Sequence, residues 1–302
     1  MSAWGGLIAE KEGEIIRGSE EVKPGREEKG IKRKSKRSDI ENTLRLAACS
    51  DLRRGILISL REGKKALSEL RDKLDVSSTT AIHALRELGR ENLVFQDKDR
   101  DYVLTKVGKV IALNLTDFIN AIDVSKKHED FWLEHDLSGI PPRLLRKIGA
   151  LSNSILIADT PTEVFKSHTT FLQILETANE VRGIYPFFHL EYLKVIEELV
   201  KRKRIDIELI VTNEVLDNIV GVVETEGAFK KFLHEPNFAL FAIEGDIKIA
   251  LSLTDSVFYL GLFDDNGIYD YNRALISDDK KALSWGRELY EHYHQLSQVV
   301  VL

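Results

Sequence analysis

Between Asp75 and Arg90 the chain sets short hydroxyls, an imidazole and a guanidinium on one stretch: Ser77-Ser78-Thr79-Thr80-Ala81-Ile82-His83-Ala84-Leu85-Arg86-Glu87-Leu88. Ala81, Leu85 and Leu88 recur at helical spacing and belong to a buried face. Ser78, Thr79, Ile82, His83 and Arg86 then point outward. Hydroxyls and free backbone N–H groups at a helix start suit phosphates. An arginine pairs with guanine or a phosphate, and a histidine donates to a purine acceptor. An amphipathic helix whose polar face only meets water carries the same pattern, so the surrounding elements decide between the two.

Those elements are short and closely spaced. Ser38 or Asp39 is expected to cap a first helix carrying Ile40, Leu44 and Ala47. A second helix is expected from Asp51 to Arg61, with Leu52, Ile56, Leu57 and Leu60 on one face and Gly63 after it. A third, Ser-capped helix runs from Ser68 to Leu74, a tight turn follows at Asp75-Val76-Ser77, and a fourth helix runs from Ser78 to Glu91. Leu93–Gln96 and Asp101–Leu104 read as a β-hairpin around Asp97-Lys98-Asp99-Arg100. Thr105 caps a long helix from Lys106 to Asp123, which continues toward Phe131 and Trp132. Helix, helix, turn, helix, hairpin, helix is the order of a winged helix-turn-helix domain. Lys98 and Arg100 at the hairpin tip are candidate DNA contacts, although Asp97, Asp99 and Asp101 flank them. Lys64 and Lys65 are candidate phosphate clamps.

From Leu137 onward the pattern changes to alternating strands and helices. Strands are expected at Ser154–Asp159, Glu180–Phe187, Ile205–Val211, Phe238–Ile243, Ile247–Leu253 and Val257–Phe263. Helices are expected at 143–149, 162–178, 191–203, in two short pieces near 215–219 and 227–233, and at 279–297. Glu244-Gly245-Asp246 reads as a hairpin turn. The expected fold class is therefore α+β and multidomain, a winged helix-turn-helix joined by long helices to an α/β sandwich. In open α/β sheets, ligands sit beyond the carboxyl ends of strands. Asp159, then Tyr185, Phe187 and His189, then Thr212 and Asn213 occupy three such ends, an aromatic wall with a few polar groups. Helix capping and core packing are the competing roles for these residues.

Charge divides along the same line. Residues 1–37 carry 10 Lys and Arg against 7 Asp and Glu, residues 38–110 carry 14 against 12, and residues 111–302 carry 19 against 30. The front tolerates a polyanion and the back repels one. Residues 1–37, ending in Ile31-Lys32-Arg33-Lys34-Ser35-Lys36-Arg37, read as a disordered charged tail. No apolar run approaches the roughly 18 residues that span a bilayer, and the first ten residues do not read as a secretory signal. A single cysteine, Cys49, excludes an internal disulfide framework and a Cys-rich zinc site, and fits a reducing cytoplasm. His292 and His294 lie two apart on a helix and point to different sides, a poor chelate. No nucleophile elbow, metal spacing or glycine-rich phosphate loop is present, so neither an enzyme nor a cofactor is expected.

Leu70 to Val94 resembles the winged-helix domain of ArsR/MarR-like regulators. Asp130-Phe131-Trp132-Leu133-Glu134-His135-Asp136-Leu137-Ser138-Gly139-Ile140-Pro141 narrows the resemblance. So do Thr254-Asp255-Ser256-Val257-Phe258-Tyr259-Leu260-Gly261-Leu262-Phe263, Tyr269-Asp270 and Ala282-Leu283-Ser284-Trp285-Gly286-Arg287-Glu288-Leu289-Tyr290. These phrases are similar to the archaeal methanogenesis-regulatory-protein type of transcription regulator, over roughly residues 40–300. The resemblance implies a one-component regulator with an N-terminal reader of double-stranded operator DNA and a C-terminal sensor of a small-molecule effector. The sensor also resembles the phospholipase-D-like effector domain of sugar-responsive archaeal regulators. The His-x-Lys-x4-Asp motif of the catalytic form is missing after His168, His189 and His234, which argues against phosphodiester hydrolysis.

The expected organisation is a tail at 1–37, the DNA-binding domain at 38–110, a helical linker and dimer helix at 111–136, and the sensing domain at 137–302. The apolar helices at 107–122 and 283–296 are candidate seams of a homodimer. The function read from these features is a ligand-responsive transcriptional regulator in the cytoplasm. The alternatives are a winged helix used for protein–protein contact and an enzyme of unrecognised type with an accessory winged helix.

Overall fold

Helical periodicity organises the first third of the chain and strand alternation the rest. The computed structural model describes residues 36–203, 205–225 and 233–301. Nearly all of the expected charged tail and most of the expected helix at 227–233 lie outside the described residues.

Helix α1 (Lys36–Ala48) begins two residues ahead of the expected Ser38 cap. Of the apolar residues expected to face inward, Ala47 is buried and Leu44 is exposed. Helix α2 (Asp51–Leu60) is capped by the Ser50 hydroxyl, which accepts from the Arg53 amide. Helix α3 (Leu67–Leu74) corrects a detail of the reading. Its cap position is Ala66, and the Glu69 carboxylate accepts from the Ala66 amide at 2.7 Å, so Ser68 lies inside the first turn. Helix α4 (Ser78–Arg90), strands β1 (Val94–Gln96) and β2 (Tyr102–Leu104), and helix α5 (Lys106–Lys127) follow as expected. Strands β1 and β2 pair antiparallel. Ile56, Leu57, Leu70, Ala84, Leu85, Leu88 and Leu93 form the core between these elements. Gly108 at the start of α5 is required by close approach, because a Cβ there would lie 1.9 Å from the Leu93 carbonyl oxygen.

Helix α5 spans two cores. Ala112 packs into the N-terminal cluster, and Val124, three turns on, packs into the core beneath the large sheet. It stops at His128 instead of running on, and α6 (Glu129–Leu133) restarts there. Helix α7 (Pro142–Leu145) and a 3-10 turn (Ile148–Leu151) replace the single helix expected at 143–149.

The remaining elements are β3 (Ile155–Ala158), α8 (Lys166–Glu176), β4 (Glu180–Tyr185), α9 (Leu190–Glu198), β5 (Asp206–Thr212), α10 (Asn213–Thr225), β6 (Phe238–Ile243), β7 (Ile249–Thr254), β8 (Phe258–Leu262), β9 (Arg273–Ser277), α11 (Lys280–His294) and β10 (Gln298–Val299). Eight strands form one mixed sheet in the order β10-β6-β5-β4-β7-β8-β9-β3. Strands β4, β5 and β6 are parallel neighbours, and β7, β8, β9 and β3 continue antiparallel beyond β4. Side chains alternate between faces. Val181, Ile207, Leu209, Val211 and Tyr259 meet α8, α9 and α10, while Ile184, Ile210, Phe258, Leu260 and Leu262 meet α6, α7 and α11. The result is a sheet sandwiched between two helical layers.

Four expectations are corrected. Glu244-Gly245-Asp246 is not a hairpin turn, because β6 and β7 do not pair; β5 and β4 lie between them. The helix expected from Thr162 starts at Lys166, after a turn in which Phe165 has φ 65°. The first of the two short helices after β5 is one helix, α10, reaching Thr225. The apolar face of α11 is not a free seam, since Leu283, Trp285, Leu289 and Tyr290 are buried against the sheet. Strands β9 and β10 were not expected at all.

Candidate DNA interface and ligand pocket

Helix α4 is held by its own first residues. The Ser77 hydroxyl accepts from the Thr80 amide at 3.2 Å and caps the helix. Asp75 takes a left-handed conformation, φ 49°, and lets α3 turn sharply into α4. Ala81, Ala84, Leu85 and Leu88 are buried, which fixes the rotation of the helix. Ser78, Thr79, His83 and Arg86 are consequently exposed, and Ile82 is half-buried beside them. Behind this face Arg53 donates to the Glu87 carboxylate at 2.6 Å and ties α4 to α2.

The hairpin tip is built differently from its expected role. One oxygen of Asp97 accepts from the amides of Asp99 and Asp101, each at 2.9 Å, and closes the turn. Lys64 reaches the carboxylates of Asp99 at 2.8 Å and of Asp97 and Asp101 at 3.3 Å each. These contacts, Asp99 first, push the Lys64 ammonium above its usual pKa range. Lys64, read as a phosphate clamp, is thus already surrounded by three carboxylates, and Lys65 lies 3.3 Å from Glu62. Lys98 and Arg100 remain exposed at the tip.

The six candidate pocket residues separate into three places. Tyr185, Phe187 and His189 gather with Phe171, Tyr192, Tyr259 and Tyr269 beyond the carboxyl end of β4. Thr212 and Asn213 line a separate open groove of about 360 Å³ with Lys248 and Gly245, and the Thr212 hydroxyl accepts from the Val215 amide. Asp159 is occupied locally. Its carboxylate accepts from the amides of Phe165 and Ser167 at 2.8 and 2.9 Å and shapes the turn before α8.

The aromatic cluster is densely stacked. Phe187 and Tyr269 have ring centroids 4.3 Å apart, Phe171 and Tyr192 4.9 Å, and Phe171 and Tyr259 5.1 Å. Tyr185 is hydrogen-bonded to the Ser252 hydroxyl, Tyr259 to Ser167 at 3.3 Å, and Tyr192 to the His168 ring at 2.8 Å. Burial pushes the phenols of Tyr185, Tyr192, Tyr259 and Tyr269 above their ordinary pKa, so all four are neutral hydroxyls at physiological pH.

One residue beyond Tyr269 lies a charged network. Each ring nitrogen of His135 faces an acceptor, the Phe131 carbonyl at 2.6 Å and the Asp270 carboxylate at 3.1 Å. Arg273 donates to Asp270 and to Glu134 at 2.6 and 2.7 Å. Desolvation would raise the Asp270 carboxyl, but hydrogen bonds from His135 and Arg273 outweigh it and hold its pKa at about 2. Sequence reasoning missed Tyr192, the Ser167 and Ser252 partners, and the His135–Asp270 pair. Tyr259 stands among Phe258 and Leu260 and reads as plain core. His135 and Asp270 are 135 residues apart.

Among the described residues, no group of three or more His, Cys, Asp or Glu could hold a metal ion. No described helix is long and apolar enough to cross a membrane.

Comparison with known proteins defines a class. The N-terminal domain model of the methanogenesis regulatory protein FilR1 matches residues 41–123, and the middle domain model of the same protein matches residues 164–296. The chain belongs to this methanogenesis-regulatory-protein family. It is 28% identical over 265 residues to the methanogenesis regulatory protein FilR1 of Methanothrix harundinacea (strain 6Ac), covering 86% of this chain. The chain spans 58% of that relative's length. Among solved structures, TrmBL2, an archaeal chromatin protein, is 14% identical with a TM-score of 0.38, over 86% of this chain and all of that one. Nuc of Salmonella typhimurium, a phospholipase D family member, is 10% identical with a TM-score of 0.38, over 49% of this chain and 99% of that one. Both scores are too low to establish a shared fold.

Proposed function

We propose that the chain is a DNA-binding transcriptional regulator whose C-terminal part senses a small molecule and alters operator binding. Residues 38–110 act as a winged helix-turn-helix of the ArsR/MarR-like kind, residues 111–136 link, and residues 137–302 sense. The observation that carries this reading is the outward face of α4. A capped helix preceded by a tight turn and followed by a hairpin presents Ser78, Thr79, His83 and Arg86 to solvent beside Ile82. This is the geometry that fits a major groove. Lys98 and Arg100 add backbone contacts from the hairpin.

The sensing site is the aromatic box around Tyr185, Phe187 and His189, on the carboxyl side of the parallel strands where α/β sheets hold ligands. Outside it, Asp159 shapes the turn before α8 and Thr212 caps α10, while Asn213 lines the separate groove. Homodimerisation is supported by Val107, Val110, Leu113, Phe118 and Ile122, all exposed along α5. Two copies would double the number of base pairs read. The regulator acts in the cytoplasm, where its DNA is, and needs no cofactor.

Equilibrium titration against the DNA upstream of its own gene and against random DNA, at two salt concentrations, tests this function. Preferential binding to the upstream DNA, by roughly 10³-fold or more, is expected. Equally weak, steeply salt-dependent binding to both would reduce its DNA binding to non-specific phosphate contacts.

A further inference from the structure

We infer that the aromatic box is the seat of a small organic cation of the alkylammonium class. The inference rests on the sensing role proposed for the same box and names the chemistry of its ligand. Rings of Phe171, Tyr185, Phe187, Tyr192, Tyr259 and Tyr269 surround one space, closed at the base by Ala250 and Leu251. Among the described residues, no Lys or Arg lines it. The hydroxyls of Tyr185, Tyr259 and Tyr192 are already bonded to Ser252, Ser167 and His168.

That arrangement selects against anionic ligands. A carboxylate or phosphate would be desolvated with no counter-charge. What the box does offer is ring faces, whose negative quadrupole attracts a cation. Three carboxylates lie close to the rings, although Asp270 is paired with Arg273 and Glu191 contacts His168. Glu191 acts on the Tyr192 hydroxyl, and Asp270 and Asp159 act on that of Tyr259. A quaternary ammonium has no N–H donor to satisfy, so it matches a box walled by ring faces.

As packed, the space holds about 10 Å³, room for one water, and an adjoining cavity past Phe187 and Tyr192 holds about 40 Å³. Tyr185, Tyr259 and Tyr269 are buried, whereas Phe187 and Tyr192 are half-buried. Phe187 and Tyr192 line both spaces, so entry of a ligand requires these two outer rings to turn.

Calorimetric titration of the full chain with choline and with 3,3-dimethylbutan-1-ol, its uncharged carbon isostere, separates charge from shape. Choline is expected to bind roughly tenfold or more tightly than the alcohol, and Phe187→Leu to weaken choline by about the same factor while the thermal midpoint is retained. Tyr192→Phe, which keeps the ring, should bind choline nearly as well as the wild type, and Tyr192→Leu should not. Equal affinity for choline and the alcohol, or no binding of either, overturns the cationic class. Choline binding that survives both leucine variants overturns the box as its seat. Operator affinity measured on the same samples isolates the sensing role. Choline that binds in the box and leaves operator affinity unchanged upholds the inference and contradicts sensing by this box.

Discussion

At the scale of single residues, neighbours decide what each basic side chain is free to do. Arg53 is tied to Glu87 and Lys64 is ringed by Asp97, Asp99 and Asp101, so neither is free for a phosphate. Arg86, on the same helix as Glu87, is exposed. Sequence makes Arg86 a base-reading candidate and Lys64 a phosphate clamp; the fold of the hairpin back onto the chain before α3 occupies Lys64 and leaves Arg86 exposed. If Arg86 reads a base, Arg86→Ala costs about 1–3 kcal/mol of operator binding and relaxes preference at one position of each half-site. A gel-shift series over single-base operator variants checks this; a uniform loss across all variants would instead make Arg86 a phosphate contact.

At the scale of elements, α5 connects the N-terminal helical core with the core of the large sheet. It packs into the N-terminal core at Ala112 and into the sheet core at Val124. Gly149 brings the 3-10 turn so close that a Cβ would lie 2.8 Å from the Asp117 carbonyl oxygen of α5. A second connection runs from the aromatic box through Tyr269 to Asp270, then to His135 just after α6. A 100-fold change in operator affinity needs about 2.7 kcal/mol of coupling, which such a buried pair is able to supply. Asp270→Asn is expected to cost about 3–5 kcal/mol near neutrality. The sign with pH follows from the lowered carboxyl: its contribution is complete above the ordinary value of 3.8 and is lost as pH falls through about 2. The stability difference between wild type and Asp270→Asn in urea should therefore shrink over that window. A difference that stays constant to the lowest pH would show that Asp270 is not a charged partner.

Elements were legible in the sequence where local pattern decides them. The rotation of α4, the Thr105 cap of α5 and the alternation of strands and helices all follow from spacing and capping. Partners were not legible. Strands β6 and β7 are consecutive and look like a hairpin, yet β6 completes the parallel set while β7 returns to pair with β4. The aromatic box draws on β4, α8, α9, β8 and the loop before β9, so no single window of sequence contains it. Tyr185 and Phe187 were visible because they share one strand end; Tyr259 and Tyr269 were not.

At the scale of the whole molecule, charge and apolar surface divide the labour. The front is basic and the back carries 30 acidic against 19 basic residues, a division that fits the proposed docking of a duplex at α4 and away from the sheet. The exposed apolar stripe of α5, Val107, Val110, Leu113, Phe118 and Ile122, is the surface on which the proposed second copy would pair. In the proposed function, α4 reads specific DNA from a two-fold dimer. Selection of binding sites from random-sequence duplexes by the full chain tests it most directly. The predicted result is an enriched inverted repeat whose half-sites lie about 10 base pairs apart or a multiple of that, with one position per half-site lost under Arg86→Ala. No enriched motif, or one identical for wild type and a Ser78→Ala, Thr79→Ala, Arg86→Ala triple variant, would contradict it.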